Sequence, residues 1–182
     1  MNTCSKCGGS APAEKLLPQY TVTSIGLEVV VVNSVNEFTC EACGEAEVSV
    51  PDLQGLIAAA AVARVQIPQK LNSKEVKFLR KSIQLTAKQL GDLLEVSQET
   101  ISRWENDKTP IGPGSEKLLR LLVGILIGKN APGVDFDEKS VLDMKVQPIM
   151  SSPDPIVMQF ERVLVKIDEK KEKKYSNIEL AA

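Results

Sequence analysis

The stretch "VSQETISRWENDKTP", residues 96–110, has the pattern of a short helix with one apolar and one polar face. Ser97 is suited to the N-cap, because its hydroxyl can accept a hydrogen bond from a free amide of the first turn. Ile101 and Trp104 lie three positions apart, which points both side chains toward a core. The remaining face carries polar side chains that can read base edges in the major groove. They are Gln98, Glu99, Ser102 and Arg103.

The surrounding residues predict three more helices. Asn72 with Glu75, and Thr86 with Gln89, have the spacing of capping boxes, so a helix is expected after each. A fourth helix is expected from about Ser115. The apolar residues at helical spacing are predicted to form its core and that of its neighbours: Val76, Leu79, Ile83, Leu90, Leu93, Leu94, Leu118, Leu119, Leu122 and Ile125. Two short helices joined by a tight turn meet the requirement for major-groove reading.

The residues "LTAKQLGDLLEVSQETISRWENDKTPIGPGSEKLLRLL" resemble the Xre (lambda-repressor-like) helix-turn-helix family, over about residues 73–128. The resemblance implies a helical bundle that dimerises on palindromic operators in double-stranded DNA. Carried over by position, the base-contacting residues are Gln98, Glu99 and Arg103, with Thr100 and Ser102 nearby. The phosphate-contacting positions implied by the family are Thr86, Lys88, Thr100 and Lys108.

Two positions depart from the family pattern. Ala87 stands where a Gln often follows the Ser or Thr that opens the second helix, so one phosphate or base contact is in doubt. Glu95 stands at a turn position that is commonly Gly. If this residue adopts a positive φ, it costs on the order of 1 kcal/mol.

The charge of the chain is unevenly distributed. The formal net charge over 182 residues is −2, which is unexpected for a DNA-binding protein. Residues 74–129 nevertheless carry ten Lys or Arg and seven Asp or Glu, which makes this segment +3. Such a modest positive charge predicts weak non-specific affinity for DNA and a reliance on dimerisation.

All four cysteines occur in two CxxC units, "CSKC" and "CEAC", each followed by Gly. Four thiolates in a tetrahedron make a closed structural zinc site. A β-rich lobe of ~50 residues buries little surface, so a bound metal would be needed to stabilise it. We favour one structural Zn²⁺ over a redox CxxC or an iron–sulfur cluster. The chain has no histidine, which excludes His ligands and His-based catalysis. The predicted ligands are Cys4, Cys7, Cys40 and Cys43.

These patterns predict an α+β multidomain chain. A zinc-binding lobe with two or three strands and a C-terminal helix is expected over 1–66, and "QIPQKL" is interpreted as a linker. The helix-turn-helix domain is expected over 72–129, and an extension over 131–182. In that extension "VLDMKVQ" and "IVMQFERVLVKI" are predicted strands, and the residues from Asp168 a solvated, mobile tail.

The order of a Cys4 lobe, a helix opened by "PDL" and an Xre domain resembles the YgiT-type zinc-finger, MqsA-like antitoxin family, over about residues 1–129. That resemblance implies the four cysteines as ligands, a zinc lobe that binds a toxin protein, and a dimeric repressor of its own operon. Arg103 would be a principal base reader. Glu99 takes the place of a reader that is often Asn, which puts the operator sequence in doubt.

The predicted function is a non-enzymatic, dimeric DNA-binding repressor of the cytoplasm, with an antitoxin role as an open second question. No apolar run approaches the ~18 residues that cross a membrane, and the N-terminal residues lack a signal-peptide core. Two alternatives remain. One is a protein-interaction module with a vestigial helix-turn-helix, and the other is a thiol enzyme that uses the CxxC units.

Overall fold

The computed structural model describes residues 3–10, 13–148, 158–167 and 170–178. It confirms the predicted fold class: strands beside a cysteine cluster come first, a helical region follows, and strands return at the C-terminal end. The elements in chain order are β1 Ala13–Val22, β2 Val29–Thr39, β3 Ala46–Ser49, α1 Leu53–Gln66, α2 Ser73–Ser82, α3 Ala87–Leu94, α4 Gln98–Glu105, α5 Pro113–Ile127, a 3-10 turn Gly128–Asn130, α6 Glu138–Asp143, β4 Met158–Ile167 and β5 Lys170–Ile178.

The N-terminal and C-terminal strands form one sheet. β1 and β2 make an antiparallel hairpin, and the opposite edge of β2 pairs with β4 in parallel and with β3 antiparallel. β2 changes partner near Asn33, whose φ is 47°, and the Ser34 hydroxyl accepts a hydrogen bond from the Arg162 amide at 3.0 Å. The extension is therefore joined to the sheet of the N-terminal, cysteine-containing lobe, a relationship that the sequence division did not include.

Two predictions about the extension are wrong. "VLDMKVQ" was predicted as a strand, but its first three residues end α6, because the Asp137 side chain caps that helix and Val141 is buried. The predicted mobile tail is wrong for residues 170–178, which form β5 because Tyr175 packs in the core. The start of the predicted strand "IVMQFERVLVKI" and the last residues of the chain lie outside the described residues.

The helices of the helix-turn-helix region begin where the capping signals predict. Both capping boxes form, and α5 begins at Pro113, slightly before the predicted Ser115. Three residues predicted for the core are instead about half exposed: Leu93, Leu118 and Ile125. The buried stripe of α5 consists of Glu116, Leu119, Arg120, Val123, Gly124 and Ile127. A periodicity of apolar residues misses this stripe, since two of its members are charged.

Buried arginines hold the segment that was predicted as a linker. α1 continues through Gln66, and the carbonyl oxygens that follow it accept hydrogen bonds from Arg64 and Arg120. Arg64 also pairs with Glu75 of α2, and Arg120 pairs with Glu116 of its own helix. Because buried charges are tolerated when they are paired and hydrogen-bonded, this network ties α1 to α2 and α5.

Candidate nucleic-acid interface and metal centre

The turn between α3 and α4 is tight, and Glu95 within it has the positive φ whose cost was considered from the sequence. A Cβ on Gly91 would lie 2.6 Å from the Val96 carbonyl oxygen, so only glycine fits at this approach. Glu95 caps α3 with φ 54°, and the Val96 amide donates to the Gly91 carbonyl at 2.9 Å. The left-handed conformation of Glu95 costs on the order of 1 kcal/mol, and the domain carries this cost to set the angle between the two helices.

Helix α4 divides into the two predicted faces. Ile101 and Trp104 are buried, with 0% and 7% exposure, and they fix the helix against the bundle. The Ser97 hydroxyl caps the helix by accepting from the Thr100 amide at 3.2 Å. The four predicted reader residues are exposed on the opposite side: Gln98, Glu99, Ser102 and Arg103. Thr100 is half-buried, with its hydroxyl 3.2 Å from that of Ser97.

The exposed face of α4 offers both hydrogen-bond acceptors and hydrogen-bond donors. The backbone amide of Glu99 and the Ser97 hydroxyl hold the pKa of the Glu99 carboxyl below its ordinary value, and nearby Arg103 adds to this effect. Glu99 is therefore an acceptor at neutral pH, suited to the amino group of cytosine. Arg103 is a planar donor, suited to the acceptors of guanine. The exposed face therefore carries one acceptor and one donor of the kinds that pair with base edges.

Besides Thr100 in α4, the predicted phosphate-contacting residues lie at the start of α3 and after α4. Thr86 is the N-cap of α3, where its main-chain amide and hydroxyl donate to Gln89 at 2.8 and 2.9 Å. Lys88 in the first turn of α3 and Lys108 in the turn after α4 are exposed. Cationic side chains near a helix N-terminus favour an anion such as a phosphate.

An ion pair that sequence reasoning missed positions α4. Arg80 of α2 holds both carboxylate oxygens of Glu105 at 2.5 and 2.9 Å and donates to the Leu85 carbonyl at 2.7 Å. Glu105 is the last residue of α4, so the contact fixes the end of the helix and the turn ahead of α3 together. Opposite charges separated by 25 residues carry no signal in a single sequence.

The four cysteines converge at one point. Their sulfur atoms lie within 4.8 Å of one another. The Cys4 and Cys43 sulfurs are 3.7 Å apart, and those of Cys7 and Cys40 are 3.5 Å apart. A tetrahedron of thiolates ~2.3 Å from a zinc ion has sulfurs roughly 3.8 Å apart. The arrangement fits a four-thiolate metal ion, and these residues could hold one.

The two CxxC units form matching knuckles. In the first, the Cys4 amide donates to Gly9 and its carbonyl accepts from Gly8; in the second, Cys40 bonds in the same way to Glu45 and Gly44, all at 2.9–3.0 Å. Gly8 and Gly44 have φ near 70°, which allows each chain to turn back under its thiolates. The repeated geometry is that of a preformed ligand set.

Two of the clustered thiols, those of Cys40 and Cys43, have pKa values shifted in opposite directions. The backbone amide of Cys43 lowers the pKa of the Cys40 thiol to about 7. Cys43 itself receives a hydrogen bond from the Glu45 amide, but the surrounding thiols and burial raise its pKa to about 12. Four neighbouring thiolates repel each other, so a divalent cation would stabilise the fully deprotonated set.

Comparison with known proteins agrees with this geometry for the helical part. A family model described as helix-turn-helix matches residues 76–122, from the first turn of α2 to the middle of α5. A search of curated proteins finds no match. In the part of the chain that the structure describes, none of the helices is long and apolar enough to cross a membrane. The helix-turn-helix match supports a DNA-binding regulator, and the four cysteines support a metal site.

Proposed function

We propose that this protein is a sequence-specific transcriptional repressor that binds a palindromic operator as a homodimer in the cytoplasm. The observation that carries the proposal is the two-faced α4, which buries Ile101 and Trp104 and exposes the four polar side chains opposite them. A helix whose polar face was only solvated would not need a fixed orientation. The orientation of α4 is fixed by the close approach at Gly91, by the left-handed Glu95 and by the Arg80–Glu105 ion pair.

In this proposal, Gln98, Glu99, Ser102 and Arg103 read base edges in the major groove. Thr86, Lys88, Thr100 and Lys108 hold the protein on the phosphates. Base contacts supply specificity and phosphate contacts supply register, so the two groups have different signatures in binding experiments. Two-fold symmetry of the dimer places two such helices about one DNA turn apart.

We further propose one structural Zn²⁺ on Cys4, Cys7, Cys40 and Cys43. When bound, the ion supplies a fixed crosslink between the two knuckles and no chemistry. We propose a functional division into three regions. They are a zinc-binding lobe, residues 1–66, a helix-turn-helix domain, residues 72–129, and an extension, residues 131–182. Buried arginines join the first two regions. Elemental analysis of purified protein should give one zinc per chain.

The repressor proposal is tested by fluorescence anisotropy on DNA from upstream of the gene, at ~0.15 M salt. A scrambled duplex and the Arg103→Ala variant are measured alongside, with Lys77→Ala, an exposed α2 residue, as the matched control. We expect specific binding that Arg103→Ala loses and Lys77→Ala keeps. Equal binding to both duplexes by folded protein would refute the proposal and favour a protein-interaction module.

The resemblance to MqsA-like antitoxins supports a second proposal, that the zinc lobe also binds a toxin protein. The sheet exposes Leu16 of β1 on one face and Val48 of β3 on the other, and a protein could pack on the face with Leu16. Co-purification with the product of a neighbouring reading frame tests this idea. Failure of Leu16→Ser to weaken a complex would remove this surface from the contact.

A further inference from the structure

Ala87 leaves the start of α3 without one hydrogen-bond donor. The Xre pattern often has Gln at this position, whereas the Ala87 methyl group is partly buried and packs against the core. A phosphate oxygen accepts hydrogen bonds, so a contact at this end of α3 needs a donor from another side chain. The exposed neighbours that carry donors are Thr86, Lys88 and Gln89.

Both donors of Thr86 are already engaged. Its main-chain amide donates to Gln89 Oε1 at 2.8 Å, and its hydroxyl donates to the same oxygen at 2.9 Å. A hydroxyl carries a single proton, and the Thr86 hydroxyl oxygen accepts from the Gln89 amide at 3.2 Å. While this capping box is closed, Thr86 positions Gln89 and has no hydrogen left to donate to DNA.

The same bonds orient the carboxamide of Gln89. Because its oxygen accepts twice from Thr86, the side chain folds back to the end of α3 and does not extend along the helix. The carboxamide nitrogen carries two N–H donors. In the part of the chain that the structure describes, neither of them has an acceptor, and Gln89 is exposed. A free donor group therefore lies beside Thr86, where the proposed function places a phosphate.

The two capping boxes of the chain differ in the residue that closes them. In α2 this residue is Glu75, whose carboxylate is buried and paired with Arg64. In α3 it is the exposed Gln89. Glu closes a capping box as well as Gln does, and a carboxylate in the first turn also interacts favourably with the helix dipole. An exposed carboxylate would repel a phosphate, however, whereas a carboxamide donates to it. Gln89 therefore suits an anionic partner better than it suits helix stability.

We infer that the Gln89 carboxamide donates a hydrogen bond to a DNA phosphate at the start of α3, in place of the contact that Ala87 lacks. Thr86 acts through Gln89 by holding its oxygen, and Lys88 supplies positive charge beside it. The inference rests on the proposed function and replaces a direct contact of Thr86 with one made by Gln89. Such a contact adds affinity and fixes register without selecting a base sequence.

The test is Gln89→Glu in the full-length protein, measured by anisotropy on the upstream and the scrambled duplex. Glu keeps an oxygen that accepts from Thr86 and replaces the donor nitrogen with negative charge. Affinity for both duplexes should fall by the same factor, about tenfold or more, because a hydrogen bond to a charged group is lost. The midpoint of urea unfolding should be unchanged or higher.

Gln19→Glu is the matched control. Gln19 is exposed on β1, outside the helix-turn-helix match, and its substitution makes the same replacement of a carboxamide by a carboxylate. It should leave the affinity within about twofold of the wild type, because a charge outside the proposed contact surface is largely screened at ~0.15 M salt.

A second measurement locates the phosphate. Single phosphates of the upstream duplex are replaced in turn by neutral methylphosphonates, and each duplex is titrated with the wild type and with Gln89→Glu. At one position in each half-site the wild type should bind more weakly, and Gln89→Glu more tightly, than on the unmodified duplex. The signs differ because the replacement weakens the hydrogen bond from the carboxamide but removes the repulsion of the carboxylate.

Wild-type affinity in Gln89→Glu, equal loss in Gln19→Glu, or loss on the upstream duplex alone would each overturn the inference. A lower urea midpoint for Gln89→Glu would trace its loss to the cap and overturn the inference as well. Where the wild type prefers the upstream duplex, absence of rescue at every methylphosphonate position does the same. Such a preference together with wild-type affinity in Gln89→Glu leaves the proposed function standing without the inference. No preference, with loss in Gln89→Glu and none in Gln19→Glu, does the reverse.

Discussion

The guanidinium of Arg64 in α1 holds both carboxylate oxygens of Glu75 in α2, at 2.6 and 2.8 Å, in a buried bidentate ion pair. Glu75 is also the capping-box residue of α2, and its Oε2 accepts from the Asn72 amide at 2.8 Å. One carboxylate therefore closes the start of the helix-turn-helix and anchors it to the helix that covers the sheet. Breaking this ion pair would leave one of its charges either exposed to solvent or buried without a partner, so the pair holds the two parts of the chain together.

Removing one partner of this pair should destabilise the protein strongly. Glu75→Gln leaves Arg64 with an uncompensated buried charge and is expected to cost about 3–5 kcal/mol, measured by urea unfolding. Lys6→Gln breaks the exposed pair with Glu45 and serves as the control, with an expected cost of about 0–1 kcal/mol. Equal effects of the two substitutions would show that the Arg64 pair does not join the lobes.

Relieving the strained turn should stabilise the helix-turn-helix. Glu95→Gly removes the Cβ from a residue at φ 54° and should raise the free energy of unfolding by about 0.5–1 kcal/mol. Asp92→Gly places glycine in the interior of α3 and should lower it by about 0.3 kcal/mol, because Asp is itself a weak helix former. Thermal unfolding of the two variants distinguishes them by sign, and destabilisation by both would contradict the strain at Glu95.

Changing the charge of Glu99, a proposed base contact, should alter base preference more than affinity. Glu99→Gln replaces an acceptor of the cytosine amino group with a side chain that pairs with adenine. The preferred base at one operator position should change, with discrimination of about 1–3 kcal/mol, in a selection from randomised half-sites. An unchanged preferred sequence would place Glu99 outside the base contacts.

Loss of one cysteine should disrupt the proposed zinc site and spare the helices. Cys40→Ser removes a thiolate from the set whose sulfurs lie within 4.8 Å. It should release the metal and disorder the knuckles, because metal binding and folding are linked in small sites. Ser5→Ala, next to the ligands, is the control and should keep one zinc. Loss of the helical circular-dichroism signal in Cys40→Ser would show that the helices depend on the metal.

Much of the local structure was predictable because its causes are close together in the chain. The Asn72 and Thr86 capping boxes, the Ser97 cap and the two faces of α4 depend on residues within one or two helical turns. The CxxC units likewise contain their own turns. The strand predicted at "VLDMKVQ" failed for a local reason as well, since Asp137 lies outside that stretch and caps a helix through it.

The remaining features depend on residues far apart in the sequence. As arginines, Arg64 and Arg120 would be expected at the surface, yet both are fully buried. Their carboxylate and carbonyl partners come together around them only when the chain folds. β5 reads as a charged tail, yet its register with β4 and the burial of Tyr175 make it a strand. Short-range caps, turns and ligand spacing are encoded by neighbouring residues. Strand partners and buried ion pairs are decided by tertiary structure, since their free energy comes from groups that meet only in the folded chain.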